Sequence, residues 1–265
     1  MNRKNSCALL FGPVNSGKSF TLQGNSEEIG ILHHSVRDLL SLINTSNQIN
    51  NVHILKASIY TVFNDNIFDL LLSNEKPLLL DDSGNENILD LSQIEIGSIE
   101  DVEYLLNQSH KNMITLSNLF NVDLRKKAHI IYSFFIEKLI QDNFFRLSQI
   151  DLVELASSDF IFYDNLNRKD EITRNNTLNT ISNINNIIAS LGQGTPLNYE
   201  SKLARCLKPT LGRKSENITY IICVHSTENP LQHSYNALKV FIYRYKLIDV
   251  SKFIVFLQEE WSSRK

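Results

Sequence analysis

The segment Gly12-Pro13-Val14-Asn15-Ser16-Gly17-Lys18-Ser19 follows the pattern G-x-x-x-x-G-K-[ST], a spacing suited to a phosphate chain. Glycines let the backbone curl, so that successive N–H groups turn inward towards anionic oxygens. Lys18 is placed to reach the β- and γ-phosphates of a nucleotide, and the Ser19 hydroxyl to ligate Mg2+. A helix opening near Lys18 adds its positive N-terminal end to the same anion. The competing reading, a glycine turn with an exposed lysine, leaves unexplained the apolar run Ala8-Leu9-Leu10-Phe11 before the loop and the helical pattern after it.

Other constellations carry less chemistry. His33-His34 stands before a helix without a partner at ligand spacing and reads as a core or capping pair. Cys7, Cys206 and Cys223 lie far apart with no C-x-x-C or H-x-x-x-H spacing; they indicate buried, reduced thiols and neither a disulfide framework nor a zinc site. No Ser/His/Asp or Cys/His arrangement has local support. Phe144-Phe145, Phe160, Phe162 and Tyr163 read as core and loop packing.

The elements that must position the loop follow from periodicity. Residues 8–11 suit a buried parallel strand, and a helix is expected from about Lys18. Helical spacing predicts further helices over 31–43, 99–106, 171–191 and 234–247, the third of these stopped by Gly192-Gln193-Gly194-Thr195-Pro196. Strands are expected over 52–62, 67–72, 128–139, 143–155 and 218–224. Alternating strands and helices predict an α/β fold with a mainly parallel central sheet covered by helices on both faces. No repeat or linker-like stretch divides the chain, so residues 1–265 read as one domain. Residues 249–265 then form an extension after the last core helix.

With 42% hydrophobic and 21% charged residues over 265 positions, the chain can build such a core without disulfides or metal. A net charge of −3 provides no global basic field, so neither nucleic acid nor membrane is expected as a partner. The apolar stretch 7–11 is too short for a signal segment or a membrane span.

Seven segments, in order, resemble the kinesin motor domain family. LFGPVNSGKSFTLQG at 10–24 is similar to A-Y-G-Q-T-G-S-G-K-T-Y-T-M-x-G, and Gly30-Ile31-Leu32 to the G-I-I that opens the next helix. SIYTVFNDNIFDLL at 58–71 resembles S-Y-L-E-I-Y-N-E-x-I-x-D-L-L. LSQIDLVELASSD at 147–159 resembles L-x-L-V-D-L-A-G-S-E, and TISNINNIIASL at 180–191 resembles S-L-S-A-L-G-N-V-I-S-A-L. SKLARCL at 201–207 is similar to S-K-L-T-R-L-L, and LKVFIYRYK at 238–246 to the L-R-F-A-S-R-A-K that ends the motor core.

The resemblance implies a P-loop NTPase-like, kinesin motor-like fold, with ATP and Mg2+ as cofactors and the microtubule (tubulin) as partner. It makes Gly12, Pro13, Val14, Asn15, Ser16, Gly17, Lys18, Ser19 and Phe20 the nucleotide-binding residues, and Ser19 and Glu154 the metal ligands. Switch I falls on Arg125-Lys126-Lys127-Ala128-His129 and switch II on Glu154-Leu155-Ala156-Ser157-Ser158-Asp159. Lys18 and Glu154 would then serve catalysis, with Lys127 and Asp159 in place of the family's arginine–glutamate latch. Microtubule contacts would centre on the 171–191 helix and on Arg174, Lys202 and Arg205.

Both switches depart from the family pattern. Residues 125–128 lack the switch I hydroxyls, and Ser157 replaces a glycine; if the backbone there needs a positive φ, the added Cβ would cost about 1–3 kcal/mol. Lys127 cannot form the bidentate fork of an arginine. Only eleven residues precede Gly12, whereas family members begin tens of residues earlier with a central strand and adenine contacts. The sheet is therefore expected to lack its first strand or strands and to be incompletely paired beside residues 8–11. These features imply a microtubule-associated, ATP-binding motor domain of the cytoplasm and cytoskeleton whose hydrolysis is weak or lost. The alternative is a non-hydrolysing pseudo-motor that binds microtubules or a partner kinesin-like subunit.

Overall fold

The computed structural model describes residues 5–47, 52–81, 87–157, 167–212, 215–225 and 253–258. The first strand, β1 (Asn5–Phe11), has an unbroken apolar run because it is covered on both sides. Cys7, Leu9 and Phe11 enter one hydrophobic cluster; Leu10 enters another, with Ala8 packed against it.

After β1 come α1 (Lys18–Gln23), α2 (Ile31–Asn47), β2 (His53–Phe63), β3 (Asn66–Asp69), β4 (Ile94–Ile96), α3 (Ile99–Phe120) and α4 (Leu124–Lys127). Then follow β5 (His129–Ile140), β6 (Asn143–Glu154), α5 (Arg168–Gln193), α6 (Lys202–Cys206), β7 (Ser215–His225) and β8 (Phe253–Gln258). The strands form one sheet in the order β3-β2-β5-β6-β1-β7-β8, with β4 also paired to β2. Leu22, Val36 and Leu105, from α1, α2 and α3, pack in the cluster that holds Leu10. Ile184 of α5 and Leu203 of α6 pack in the cluster that holds Leu9. Helices thus cover both faces, as expected.

The sheet is mixed, and its parallel character is confined to the neighbourhood of β1. Strands β6, β1, β7 and β8 run parallel, while β3, β2, β5 and β6 are antiparallel neighbours. Two tight turns explain the antiparallel half. Asn64 and Asp65 take φ values of 48° and 58°, and Gln141 and Asp142 take 48° and 64°. Left-handed residue pairs of this kind close two-residue hairpins.

The expected gap beside residues 8–11 is absent. β1 pairs with β6 from Ser6 to Leu10 and with β7 from Asn5 to Phe11. The flanking strand β8 comes from the stretch 249–265 and pairs with β7 over residues 220–225. The helix expected at 234–247 lies outside the described residues, as do Phe160, Phe162 and Tyr163.

Helix ends explain two further differences. α3 opens on a capping box in which the Ser98 hydroxyl accepts from the Asp101 amide at 3.2 Å and the Asp101 carboxylate accepts from the Ser98 amide at 2.9 Å. It continues beyond the expected 99–106 because Met113 and Leu116 resume the buried stripe after a polar stretch. α5 begins three residues early, where the Asn167 side chain accepts from the Asp170 amide, and ends at Gly194 in left-handed geometry. Phe144 and Phe145 are not core: they stand 45% and 48% exposed near the β5–β6 turn. All three cysteines are buried and free.

Candidate functional site at the end of β1

The loop between β1 and α1 is shaped by residues that tolerate close approach or unusual backbone. A Cβ on Gly12 would stand 2.2 Å from the Cys223 carbonyl oxygen of β7. Asn15 and Gly17 take φ values of 59° and 89°, which turns the loop back on itself. The Ser16 hydroxyl braces the curl by donating to the Pro13 carbonyl at 2.9 Å. Because α1 has only six residues, its dipole is small, and the positive field comes mainly from loop amides and Lys18.

Lys18 is buried. Its ammonium donates to the carbonyls of Gly12 and Pro13 at 2.9 and 2.7 Å and to the Ser157 hydroxyl at 3.1 Å. These contacts hold it at the mouth of the loop. Next to it, the Ser19 hydroxyl donates to Glu154 Oε1 at 2.6 Å. The expected metal ligands therefore meet, and the extra methylene of a glutamate is accommodated. Burial raises the Glu154 carboxyl above the usual range, opposed by the Ser19 hydrogen bond and by the charges of Lys18 and Arg125. A hydroxyl and a carboxylate are hard oxygen donors of the kind Mg2+ takes together with phosphate oxygens and water. The 12–19 loop, curled by the positive φ of Asn15 and Gly17 around the buried Lys18 ammonium, has the backbone shape and charge that a phosphate chain requires.

The two segments expected to act as switches, 125–129 and 154–157, are joined to this site and to each other. The Ser157 amide donates to the Lys126 carbonyl at 2.9 Å, and the Ala156 amide to His129 Nδ1 at 3.1 Å. Burial lowers the pKa of His129 to about 4, so its ring is neutral; because Nδ1 accepts, the proton sits on Nε2. Ser157 is buried and does not adopt the left-handed backbone. The expected strain at this position is therefore absent from this conformation.

Lys127 forms its ion pair with Asp170, in the first turn of α5. Asp159, the partner expected from the sequence, lies outside the described residues. The hydrogen bond from Lys127 holds the Asp170 carboxyl below its ordinary range.

A cleft of about 160 Å3 opens beside Ser19 and Glu154, with Gln23, His110, Arg125 and Tyr132 among its walls. Gln23 Nε2 donates to the Tyr132 hydroxyl at 2.6 Å. Phe20, on α1, is partly exposed. The other expected residues lie on or beside α5 and α6. Arg174 Nη2 is 3.8 Å from the Glu171 carboxylate. The Lys202 amide donates to Asp65 Oδ1 at 2.8 Å, and Lys202 and Arg205 are half-buried. Asn176, Asn179, Asn186, Asp65 and Glu200 line a neighbouring groove of about 440 Å3.

Sequence reasoning missed Asp170, Gln23, Tyr132 and the place of Arg125 in the cleft. Only Asp170 left a local sign: the spacing Asn167-x-x-Asp170 marks a helix start. Gln23 and Tyr132 are 109 residues apart, and nothing local announces their contact.

The kinesin motor domain family model matches residues 1–248. The kinesin-like protein tea2 of Schizosaccharomyces pombe is 25% identical over 244 residues, which cover 89% of this chain and 38% of tea2. The kinesin-like protein cut7 of the same organism is 26% identical over 273 residues, 90% of this chain and 24% of cut7. The chain thus spans less than half the length of either relative. Among solved structures, KIF14 391–755 with ADP in complex with a microtubule matches with a TM-score of 0.77 at 19% identity, covering 97% of this chain and 77% of that one. The C-terminal motor and motor homology domain of Kar3Vik1, fused to a synthetic heterodimeric coiled coil, matches with a TM-score of 0.75 at 20% identity, over 89% of this chain and 62% of that one.

Proposed function

The chain belongs to the kinesin motor domain family, and we propose that it binds Mg·ATP through residues 12–20 and microtubules through α5 and α6, with hydrolysis weak or lost. One observation carries the nucleotide reading: buried Lys18 lies inside the glycine loop while Ser19 and Glu154 meet at 2.6 Å beside it. In that arrangement Lys18 would hold the β- and γ-phosphates, and Ser19 and Glu154 the Mg2+ that supplies charge neutralisation.

Hydrolysis asks for more than phosphate binding. A water must be held in line and the loops must close around it. Residues 125–128 offer no hydroxyl. The Ser157 amide is engaged by Lys126, and its hydroxyl by Lys18. These features support binding without efficient turnover and favour a second reading, a pseudo-motor that serves as a microtubule- or partner-binding module. Kar3Vik1, which combines a motor with a motor homology domain, suggests a kinesin-like subunit as that partner. The corresponding location is the cytoplasmic microtubule cytoskeleton. Among the described residues, no helix is long and apolar enough to cross a membrane.

Calorimetric titration with Mg·ATP and Mg·ADP, alongside steady-state turnover with and without microtubules, tests the proposal. Lys18→Ala should weaken binding by at least about tenfold, since charge-assisted contacts contribute roughly 1.5–3 kcal/mol. Turnover should stay at background in the unmodified chain. At saturating Mg·ATP it should rise when Arg125→Ser, Lys126→Ser, Lys127→Arg, Ala128→Ser and Ser157→Gly are combined. Unchanged binding in Lys18→Ala would refute the site, and robust microtubule-stimulated turnover in the unmodified chain would refute the loss of hydrolysis.

A further inference from the structure

We propose that Arg125 is the residue by which this site distinguishes a nucleoside triphosphate from a diphosphate, its guanidinium contacting the terminal phosphate. The proposal rests on the nucleotide-binding reading above and adds a specificity-determining residue to it.

The segment carrying Arg125 is anchored to the phosphate loop. Lys18 donates to the Ser157 hydroxyl at 3.1 Å, and the Ser157 amide donates to the Lys126 carbonyl at 2.9 Å. Residue 125 is therefore one position from a backbone group bonded to the residue that touches the loop lysine. Its side chain lines the 160 Å3 cleft together with Ser19 and Glu154. That is the side of the site where Ser19 and Glu154 would hold Mg2+ and where the terminal phosphate of a bound triphosphate would need its charge neutralised. The positive charge of Arg125 also acts on Glu154, His110 and Tyr132, three groups that surround the same cleft.

The segment holds three successive cations, and only one is available. Lys126 pairs with Asp123 at 3.1 Å, and Lys127 pairs with Asp170. Among the described residues the exposed Arg125 makes no hydrogen bond or ion pair of its own. The acidic residue that lines the cleft, Glu154, already accepts from Ser19. A guanidinium offers a planar fork of N–H donors that matches two phosphate oxygens, which an ammonium does not. A diphosphate ends one group short of that fork, so the contact would add affinity for the triphosphate alone.

A residue that only balanced the charge of Glu154 would act on Mg2+ binding and hence on both nucleotides equally. Affinities of the full chain for Mg·ADP and for Mg2+ with a non-hydrolysable ATP analogue separate the two roles. The unmodified chain should prefer the analogue, and Arg125→Ala should lose about tenfold or more on the analogue while ADP affinity stays within about twofold. Arg125→Lys should recover part of the loss, since it keeps the charge and loses the fork. Retained ADP binding also shows that each variant is folded. Equal losses on both nucleotides, an unchanged analogue affinity in Arg125→Ala, or no triphosphate preference in the unmodified chain each overturn the assignment while leaving the nucleotide reading intact. An unmodified chain that binds neither nucleotide overturns both.

Discussion

The amide of Ser157 donates to the carbonyl of Lys126 at 2.9 Å, joining the end of β6 to the segment that carries three successive basic side chains. The hydroxyl of the same serine accepts from Lys18 at 3.1 Å. One residue therefore ties the 12–19 loop to the segment 124–127 and to the end of β6, through its backbone on one side and its side chain on the other. A glycine at this position would form only the first of these links.

Removing that hydroxyl should free Lys18 for phosphate. Ser157→Ala keeps the amide bond to Lys126 and deletes one acceptor of a buried ammonium, destabilising the ligand-free lysine relative to the phosphate-bound one. Mg·ADP affinity is expected to rise by about two- to tenfold, the range of a single net hydrogen bond. Calorimetry that showed weaker binding would mean that Ser157 positions Lys18 instead of competing for it.

His129 should make stability depend on acid. Its pKa falls from 6.5 to about 4 through burial, so between those values the unfolded chain binds a proton that the folded chain refuses. The stabilisation is fully present above pH 6.5 and declines as pH falls through the window, by up to roughly 3 kcal/mol. His129→Asn retains an oxygen to accept from the Ala156 amide and removes the titration. Its urea midpoint should lose less between pH 7 and pH 5 than that of the unmodified protein, and equal losses would show that His129 is not the sensitive group.

The pair Lys127–Asp170 links α4 to the first turn of α5. Both side chains are about a quarter exposed, at 23% and 25%, so solvent screening limits the coupling to about 0.5–1 kcal/mol. Because the folded Asp170 carboxyl lies below its ordinary range, this contribution is present above the unfolded carboxyl's pKa and disappears as pH falls through the folded one. A double-mutant cycle with Lys127→Met and Asp170→Asn, read by denaturant unfolding at pH 7, should show the coupling. A value near zero would mean that the contact adds nothing to folding.

Microtubule binding should depend on the remaining basic side chains of the α5–α6 face. Lys202→Glu/Arg205→Glu is expected to reduce co-sedimentation several-fold at low salt, with the difference shrinking as salt screens the contact. The groove beside these residues contains Asp65 and Glu200, so the unmodified affinity should itself be modest and salt-sensitive. Co-sedimentation unchanged by the double substitution would show that this face does not carry the interaction.

Much of the local structure was legible in the sequence because local rules govern it. The apolar run at 8–11, the glycine loop, and the helical spacing of Ile181, Ile184 and Ile188 each place their own segment. Hairpins were less legible, since Asn64-Asp65 and Gln141-Asp142 contain no glycine to signal a left-handed turn. The apparent end of α3 at 106 was misleading because a polar stretch on one face does not interrupt a stripe that resumes at Met113.

That a lysine and a hydroxyl follow a tight glycine turn between a buried strand and a helix could be read from residues 8–23 alone, because neighbouring residues and their allowed backbone angles leave little alternative. Which groups meet them depends on the folding of the whole chain. Ser19 reaches Glu154 across 135 residues and Lys18 reaches Ser157 across 139, contacts that exist because β1 lies beside β6 in parallel register. The same packing places β1 between two strands where a gap was expected, gives Lys127 an aspartate from α5, and brings Arg125 to the cleft. Such choices depend on which distant apolar faces bury together, and that is a property of the folded chain as a whole and not of any segment within it.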